Sequence, residues 1–238
     1  MFPLRDRAHR GEQPIVTVTI VFLIAVIFFW DRQWQFWPPD IPNIVFADLV
    51  LRPTEVFRAL GGGDRFPIAT LFTAIFLHGN WAHMLGNVLF LLSFGPSVEE
   101  TIGSWRFALY FLAWGVLAFF AQIYAESNGM NAILGASGAI GGVLGAYFLL
   151  FPTSIFEFDL PFGDLKPIAV PAWVLLGGWF LYQVFLPQPG VANWAHVGGF
   201  LAGMVTVLMI QSRPNGLAGQ RVGWRRDAWS PSPEESAE

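Results

Sequence analysis

The segment ILGASGAIGGVLGAYFLLF (residues 133–151) consists of apolar and small residues and carries a single serine, Ser137, among its glycines. It contains no charged residue, and it is close to the length of about 20 residues that crosses the hydrocarbon core of a bilayer. Gly141 and Gly145 follow the serine at i+4 and i+8, so they share its face of a helix. Small residues let membrane helices approach closely. The segment therefore predicts a membrane helix that packs against another helix through its serine face.

The composition of the whole chain indicates a membrane protein. Of its 238 residues 54% are hydrophobic and only 13% are charged, whereas soluble domains average about 25% charged residues. The net charge of −4 gives no indication of a nucleic-acid partner. The absence of cysteine excludes disulfides and thiol catalysis. We predict an all-α fold in the bilayer.

Six apolar blocks predict six membrane-spanning helices and a three-part chain. The blocks are residues 15–30, 81–94, 107–124, 133–151, 168–186 and 192–210. A long first loop, about residues 31–67, is rich in Trp, Pro and Phe, which predicts that it lies partly in the headgroup region. We expect a cytoplasmic N-terminal segment (1–14), a six-span domain (15–211) and a polar cytoplasmic tail (212–238).

The distribution of basic residues predicts the orientation of these spans. With both termini in the cytoplasm, nine Lys and Arg residues lie on the cytoplasmic side and four lie in the long first loop. That excess follows the positive-inside rule. Because organelle-targeting features are lacking, we expect a multi-pass protein of a bacterial plasma membrane.

Two further helical faces complement the serine. His83 and Asn87 are four residues apart on the second span, and His196 shares a face with Gly199 and Gly203 on the sixth. If the serine and histidine faces pack together, Ser137 reaches an imidazole that can act as its base. The side chains of Asn87 and His83 and the backbone N–H of Ser137 can then donate to an oxyanion. Since no carboxylate is available to orient the imidazole, the sequence predicts a Ser–His dyad.

Several other interpretations remain open at this point. The glycine faces are ordinary packing motifs, and His83 and Asn87 could link helices through hydrogen bonds of about 0.6 kcal/mol each. A metal site of His78, His83 and His196 is disfavoured, because the first two are five residues apart and no acidic ligand is near. A solute transporter is disfavoured by the lack of charge inside the predicted spans. Glu99 and Glu100 are expected in the loop after the second span, as capping or solvated groups.

Three segments together resemble the motifs of the rhomboid family of intramembrane serine proteases, of the bacterial six-span type. They are HGNWAHMLGN (78–87), GASG (135–138) and AHVGGFLAG (195–203). The resemblance implies a six-helix bundle in which Ser137 is the nucleophile, His196 is the general base, and Asn87 and His83 line the oxyanion hole. It implies that His78 helps to structure the site near the first loop. Structural or motif positions in this resemblance are Gly135, Gly138, Gly141, Gly199 and Gly203.

The family resemblance also implies the reaction and the partners. It implies cleavage of peptide bonds in or near the transmembrane helices of protein substrates, within the lipid bilayer, without a metal, another cofactor or nucleic acid. The family also contains non-catalytic members that bind or escort membrane helices, and this is the alternative function. Many members carry Trp-Arg where this chain has Ala69 and Thr70, and an aromatic residue where it has Gly141. We therefore expect a differently anchored first loop, and an imidazole that packs on backbone on the Gly141 side.

Overall fold

The computed structural model describes residues 13–31, 46–126, 132–158 and 168–211. Within these residues the chain forms eight α-helices and one two-stranded sheet. The helices are α1 (Ile15–Asp31), α2 (Pro53–Leu60), α3 (Phe66–Thr73), α4 (Trp81–Ile102), α5 (Ser104–Ala125), α6 (Ser137–Leu150), α7 (Ala172–Phe185) and α8 (Asn193–Gln211). The predicted N-terminal segment up to residue 12, the tail 212–238 and residues 32–45 of the first loop lie outside the described residues.

Six apolar helices, α1 and α4 to α8, form the predicted all-α membrane bundle. By length and composition, α5 and α8 are each able to cross a membrane. The segment Phe66–Phe76 and α4 form a pair bent by 76°, which adds a third candidate span if the pair is one unit. Helices α1, α6 and α7 are apolar but shorter, at 17, 14 and 14 residues.

Helix α6 lies in the centre of the bundle, and its neighbour α8 packs on it backbone to backbone. A Cβ atom added at Gly199 or Gly203 would collide with the carbonyl oxygen of Gly138 or Gly142, respectively. A Cβ at Gly145 would collide with a backbone carbonyl of α8 in the same way. Since no side chain separates these faces, glycine is required on both helices for the observed approach.

Helix α4 is longer than the predicted second span, and this corrects the prediction for Glu99 and Glu100. Both lie in its last turns, not in a loop, because the helix continues through Pro96 to Ile102. Glu99 is only 2% exposed. Its carboxylate accepts hydrogen bonds from the backbone N–H groups of Val16 (2.9 Å) and Thr17 (2.7 Å) and from the hydroxyls of Thr17 (2.8 Å) and Ser104 (2.7 Å). It therefore caps the start of α1 and joins α1 to the start of α5.

The prediction of one helix over residues 168–186 is wrong at its beginning. Residues Ile168–Pro171 form strand β2, which pairs antiparallel with β1 (Ile155–Phe158). Pro171 contributes to the difference, because the residue that precedes proline, here Val170, is biased toward extended backbone. Pro171 itself is extended (φ −64°, ψ 145°), and α7 begins directly after it.

The first loop contains structure that the sequence analysis did not predict, and it is attached to the segment before Ser137. It carries α2, and α3 begins at its end. Leu51 and Ile133 exchange backbone hydrogen bonds (3.2 and 2.8 Å). The Thr73 hydroxyl donates to the Leu49 carbonyl (2.8 Å). The loop therefore holds the chain that leads into α6.

Candidate active site

Ser137 is the first residue of α6, and the turn before it depends on Gly135. Gly135 has φ +118°, in the region that favours glycine. A Cβ there would lie 2.6 Å from two ring atoms of His83. The Gly135 N–H donates to the Ala74 carbonyl (2.8 Å). Positive φ and lack of space both require glycine at this position, which places the serine beside the start of α4.

His78 links the turn before α4 to the serine turn. It is 1% exposed. Its Nδ1 lies 3.2 Å from the Phe76 carbonyl oxygen, and its Nε2 lies 3.5 Å from the backbone N–H of Ala136. Burial, and then the proximity of His83, lowers the pKa of His78 to about 3, so the ring is neutral. With Nδ1 protonated, the neutral ring donates to the first of these groups and accepts from the second.

Ser137 and His196 are brought together across the contact between α6 and α8. The Ser137 Oγ lies 2.8 Å from the His196 Nε2. Directly beside this pair, a Cβ at Gly141 would lie 2.8 Å from the His196 carbonyl oxygen. Gly141 therefore packs on the backbone of His196. This contact leaves the imidazole ring without support from α6 at that position.

The imidazole is supported from α7 instead, by residues that the sequence analysis did not identify. The Trp179 ring lies 5.8 Å from the His196 ring, at an interplanar angle of 36°. The Gln183 Oε1 lies 2.9 Å from the His196 Nδ1, and Gln183 is 7% exposed. The sequence feature that could have identified Gln183 is an amide side chain in a helix whose other residues are apolar, aromatic or glycine, AWVLLGGWFLYQVF. A buried amide of this kind needs a hydrogen-bond partner.

Hydrogen-bond donors lie on the other side of Ser137, on α4. The Asn87 side chain is 7% exposed, and among the described residues its buried Nδ2 has no hydrogen-bond partner. His83 lies one turn earlier and is partly buried. Both side chains line the same cavity as Ser137 and His196. An unpaired buried N–H is unfavourable unless something occupies the cavity in front of it.

The cavity has a volume of about 930 Å³ and lies between α4, α5, α6, α7 and α8. Its lining also includes residues 188–192, and the first four of these are exposed. The cavity therefore opens to the surface of the protein beside this loop. In the part of the chain that the structure describes, no three His, Asp or Glu side chains form a metal-binding cluster.

Known proteins match this chain over the helices that carry the site. A family model described as Rhomboid domain matches residues 65–213. The chain is 32% identical to RHOMBOID-like protein 5 of Arabidopsis thaliana, over 74% of this chain and 52% of that protein. It is 30% identical to Rhomboid-type serine protease 2 of Emericella nidulans (65% of this chain, 29% of that protein). It is 32% identical to Rhomboid protease GluP of Bacillus subtilis (71% and 32%). The chain thus spans between 29% and 52% of the length of these relatives.

Proposed function

The chain belongs to the rhomboid family, and we propose that it is an intramembrane serine endopeptidase that cleaves peptide bonds in or near the transmembrane helices of other membrane proteins. The observation that carries this proposal is the 2.8 Å contact between Ser137 Oγ and His196 Nε2 inside an apolar bundle. A serine hydroxyl becomes a useful nucleophile when a neutral imidazole can take its proton. Relatives named as proteases support the same assignment.

In the first half of the proposed reaction, Ser137 Oγ attacks the carbonyl carbon of the substrate while its proton passes to His196 Nε2. The carbonyl π electrons move to the oxygen, which becomes an oxyanion. Asn87 Nδ2, the His83 side chain and the Ser137 backbone N–H are the proposed donors to it. The start of α6 adds the positive end of a helix dipole. Donors aimed at the developing charge are often the largest single contribution to catalysis.

In the second half, His196 returns the proton to the leaving amine, and the C–N bond breaks to give an acyl-enzyme. Water then attacks the ester carbonyl, His196 takes a proton from that water, and the Ser137 oxygen leaves with the proton. The exposed loop 188–192 beside the cavity supports a route for this water. Atoms and charges balance without a metal or another cofactor.

The substrate is a transmembrane segment that is locally unwound. A helical backbone hides its carbonyls in hydrogen bonds, so it must open before the serine can attack one. We further propose that the protein lies in a bacterial plasma membrane with both termini in the cytoplasm. The proposed six-span domain covers residues 15–211.

Cleavage of a model transmembrane substrate by purified protein in lipid nanodiscs tests this function. The parent should release a product, and Ser137→Ala should release none. Ser93→Ala is the matched control, because among the described residues the Ser93 hydroxyl bonds the Leu89 carbonyl of its own helix (2.8 Å). Equal cleavage by the parent and Ser137→Ala would refute the proposal. A substrate that co-purifies with the parent and is never cut would instead support the non-catalytic alternative.

A further inference from the structure

A chain of buried amides connects the imidazole of His196 to the loop between α7 and α8. The Gln188 backbone N–H donates to Asn193 Oδ1 (3.1 Å). Asn193 Nδ2 donates to Gln183 Oε1 (2.7 Å). The same oxygen lies 2.9 Å from His196 Nδ1. Asn193 and His196 are 4% and 9% exposed, so these bonds are protected from competition by water.

The donor–acceptor direction of every hydrogen bond in this series of amides follows from its first member. A backbone N–H can only donate, so the amide oxygen of Asn193 must face Gln188 and its NH₂ must face Gln183. An NH₂ group can only donate as well, so Gln183 must present its oxygen. An oxygen accepts, and therefore His196 Nδ1 must carry a proton.

This direction selects the productive tautomer of the imidazole. A neutral ring with its proton on Nδ1 has its lone pair on Nε2, the atom that lies 2.8 Å from Ser137 Oγ. In the other tautomer the Nδ1 lone pair would face the acceptor oxygen of Gln183, and Nε2 would donate to Ser137 Oγ and could not take the serine proton. Trp179, one turn before Gln183 on α7, lies against the ring. Helix α7 therefore controls both the tautomer and the tilt of the ring.

We propose that Gln183 is a positioning residue of the reaction. It is the third member of the hydrogen-bonded group Ser137–His196–Gln183, called the relay below, and Asn193 sets the donor–acceptor direction of its bonds. The inference rests on the proposed protease function. When His196 takes the serine proton, its Nδ1–H bond to Gln183 becomes charge-assisted and strengthens. The relay thus supplies, from α7, the orientation that a carboxylate gives in a serine protease triad.

Two substitutions at Gln183 test the relay against a purely structural role. Gln183→Leu removes the acceptor, so kcat should fall about 10- to 100-fold, the range known for loss of the partner that orients a metal-bound histidine, with little change in KM. Gln183→Glu keeps an acceptor for both His196 and Asn193, so it should retain most of the activity. Its carboxylate also favours the protonated imidazole, and the acidic limb of the kcat/KM profile should move to higher pH.

A second buried glutamine provides the matched control. Gln122 on α5 is 4% exposed, lines the same cavity and accepts from the Ala195 backbone N–H (3.0 Å). Gln122→Leu should lower the unfolding temperature and leave the acidic limb in place. His83 and Glu126 are the titratable groups on α4 and at the end of α5 that line this cavity with His196. Because both are unchanged in every variant, a moved limb reports on position 183.

The outcomes separate the relay from the protease function. If the parent cleaves through Ser137 while Gln183→Leu keeps the parental kcat, the relay is wrong and the protease function stands. An acidic limb that does not move in an active Gln183→Glu overturns the relay in the same way. If Ser137→Ala cleaves like the parent, both proposals fail. Should Gln183→Leu not fold, the Gln183→Glu profile alone decides.

Discussion

The Asn87 side chain offers a test in which activity and stability respond in different directions. Its Nδ2 is buried without a hydrogen-bond partner among the described residues, and such a group costs about 1–3 kcal/mol in the folded protein. Asn87→Leu replaces the amide by an apolar group of similar shape. The substitution should therefore leave the unfolding temperature unchanged or raise it.

The effect on cleavage should be large and opposite. If Asn87 donates to the oxyanion, its loss removes one donor from the transition state, which costs about 2.7–4 kcal/mol or 10²–10³-fold in kcat. The assay is steady-state cleavage of a transmembrane substrate in nanodiscs, with thermal unfolding of the same samples. An Asn87→Leu variant that cleaves within about threefold of the parent would refute the role of Asn87, because one lost donor is worth far more than that.

Three further predictions concern packing, burial and pH. Gly199→Ala places a methyl group against the Gly138 carbonyl, so it should separate α8 from α6 and abolish cleavage in a product assay. Parental activity of this variant would contradict the close packing of the two helices. Glu99→Ala leaves the four hydrogen bonds to its carboxylate unmade, which should cost about 3 kcal/mol or more and lower the midpoint of thermal unfolding; an unchanged midpoint would contradict it. Because the pKa of His78 is about 3 in the folded protein and 6.5 unfolded, the unfolded chain binds more protons between these values. Stability should therefore fall as pH decreases from 6.5 toward 3, by at most roughly 1 kcal/mol per pH unit. A His78→Leu variant should lose this part of the slope in unfolding measurements.

The contact between α6 and α8 could be predicted from the sequence because helical periodicity determines it. Small residues at i, i+4 and i+8 from Ser137, and at i, i+3 and i+7 from His196, define two faces without side chains. Faces of this kind pack closely in membranes. The structure brings Ser137 and His196 together across them, and it places Gly141 on the His196 backbone.

The contact between Gln183 and His196 could not be predicted, because it depends on where α7 lies relative to α8. No local pattern gives the rotation of one apolar helix against another, and α7 has no distinct polar face because nearly all of its residues are apolar. The loop that positions Asn193 is likewise a tertiary feature. An amide oxygen can orient an imidazole as a carboxylate does, so the proposed contact of Gln183 adds to the Ser137–His196 dyad, which stays a prediction.

Two of the differences between the predicted and the observed secondary structure could have been recognised from the sequence. Pro171, directly after IAV, indicated extended backbone at Val170 before α7. The segment PTEVFRAL begins with proline and has apolar residues at helical spacing, which indicated α2 within the first loop. In α4, by contrast, Pro96 favoured an early end of the helix, and tertiary packing of the buried Glu99 on α1 overrides it.

The most direct test of the central claim is covalent labelling of the protein in nanodiscs by a fluorophosphonate, with the modified residue identified by mass spectrometry. An activated serine attacks the phosphorus and displaces fluoride, so the reagent reports the nucleophile itself, independently of any substrate. The predicted result is one adduct on Ser137 that forms at a strongly reduced rate in His196→Gln. Absence of the adduct from Ser137 in the folded parent, or an equal rate in His196→Gln, would contradict the account.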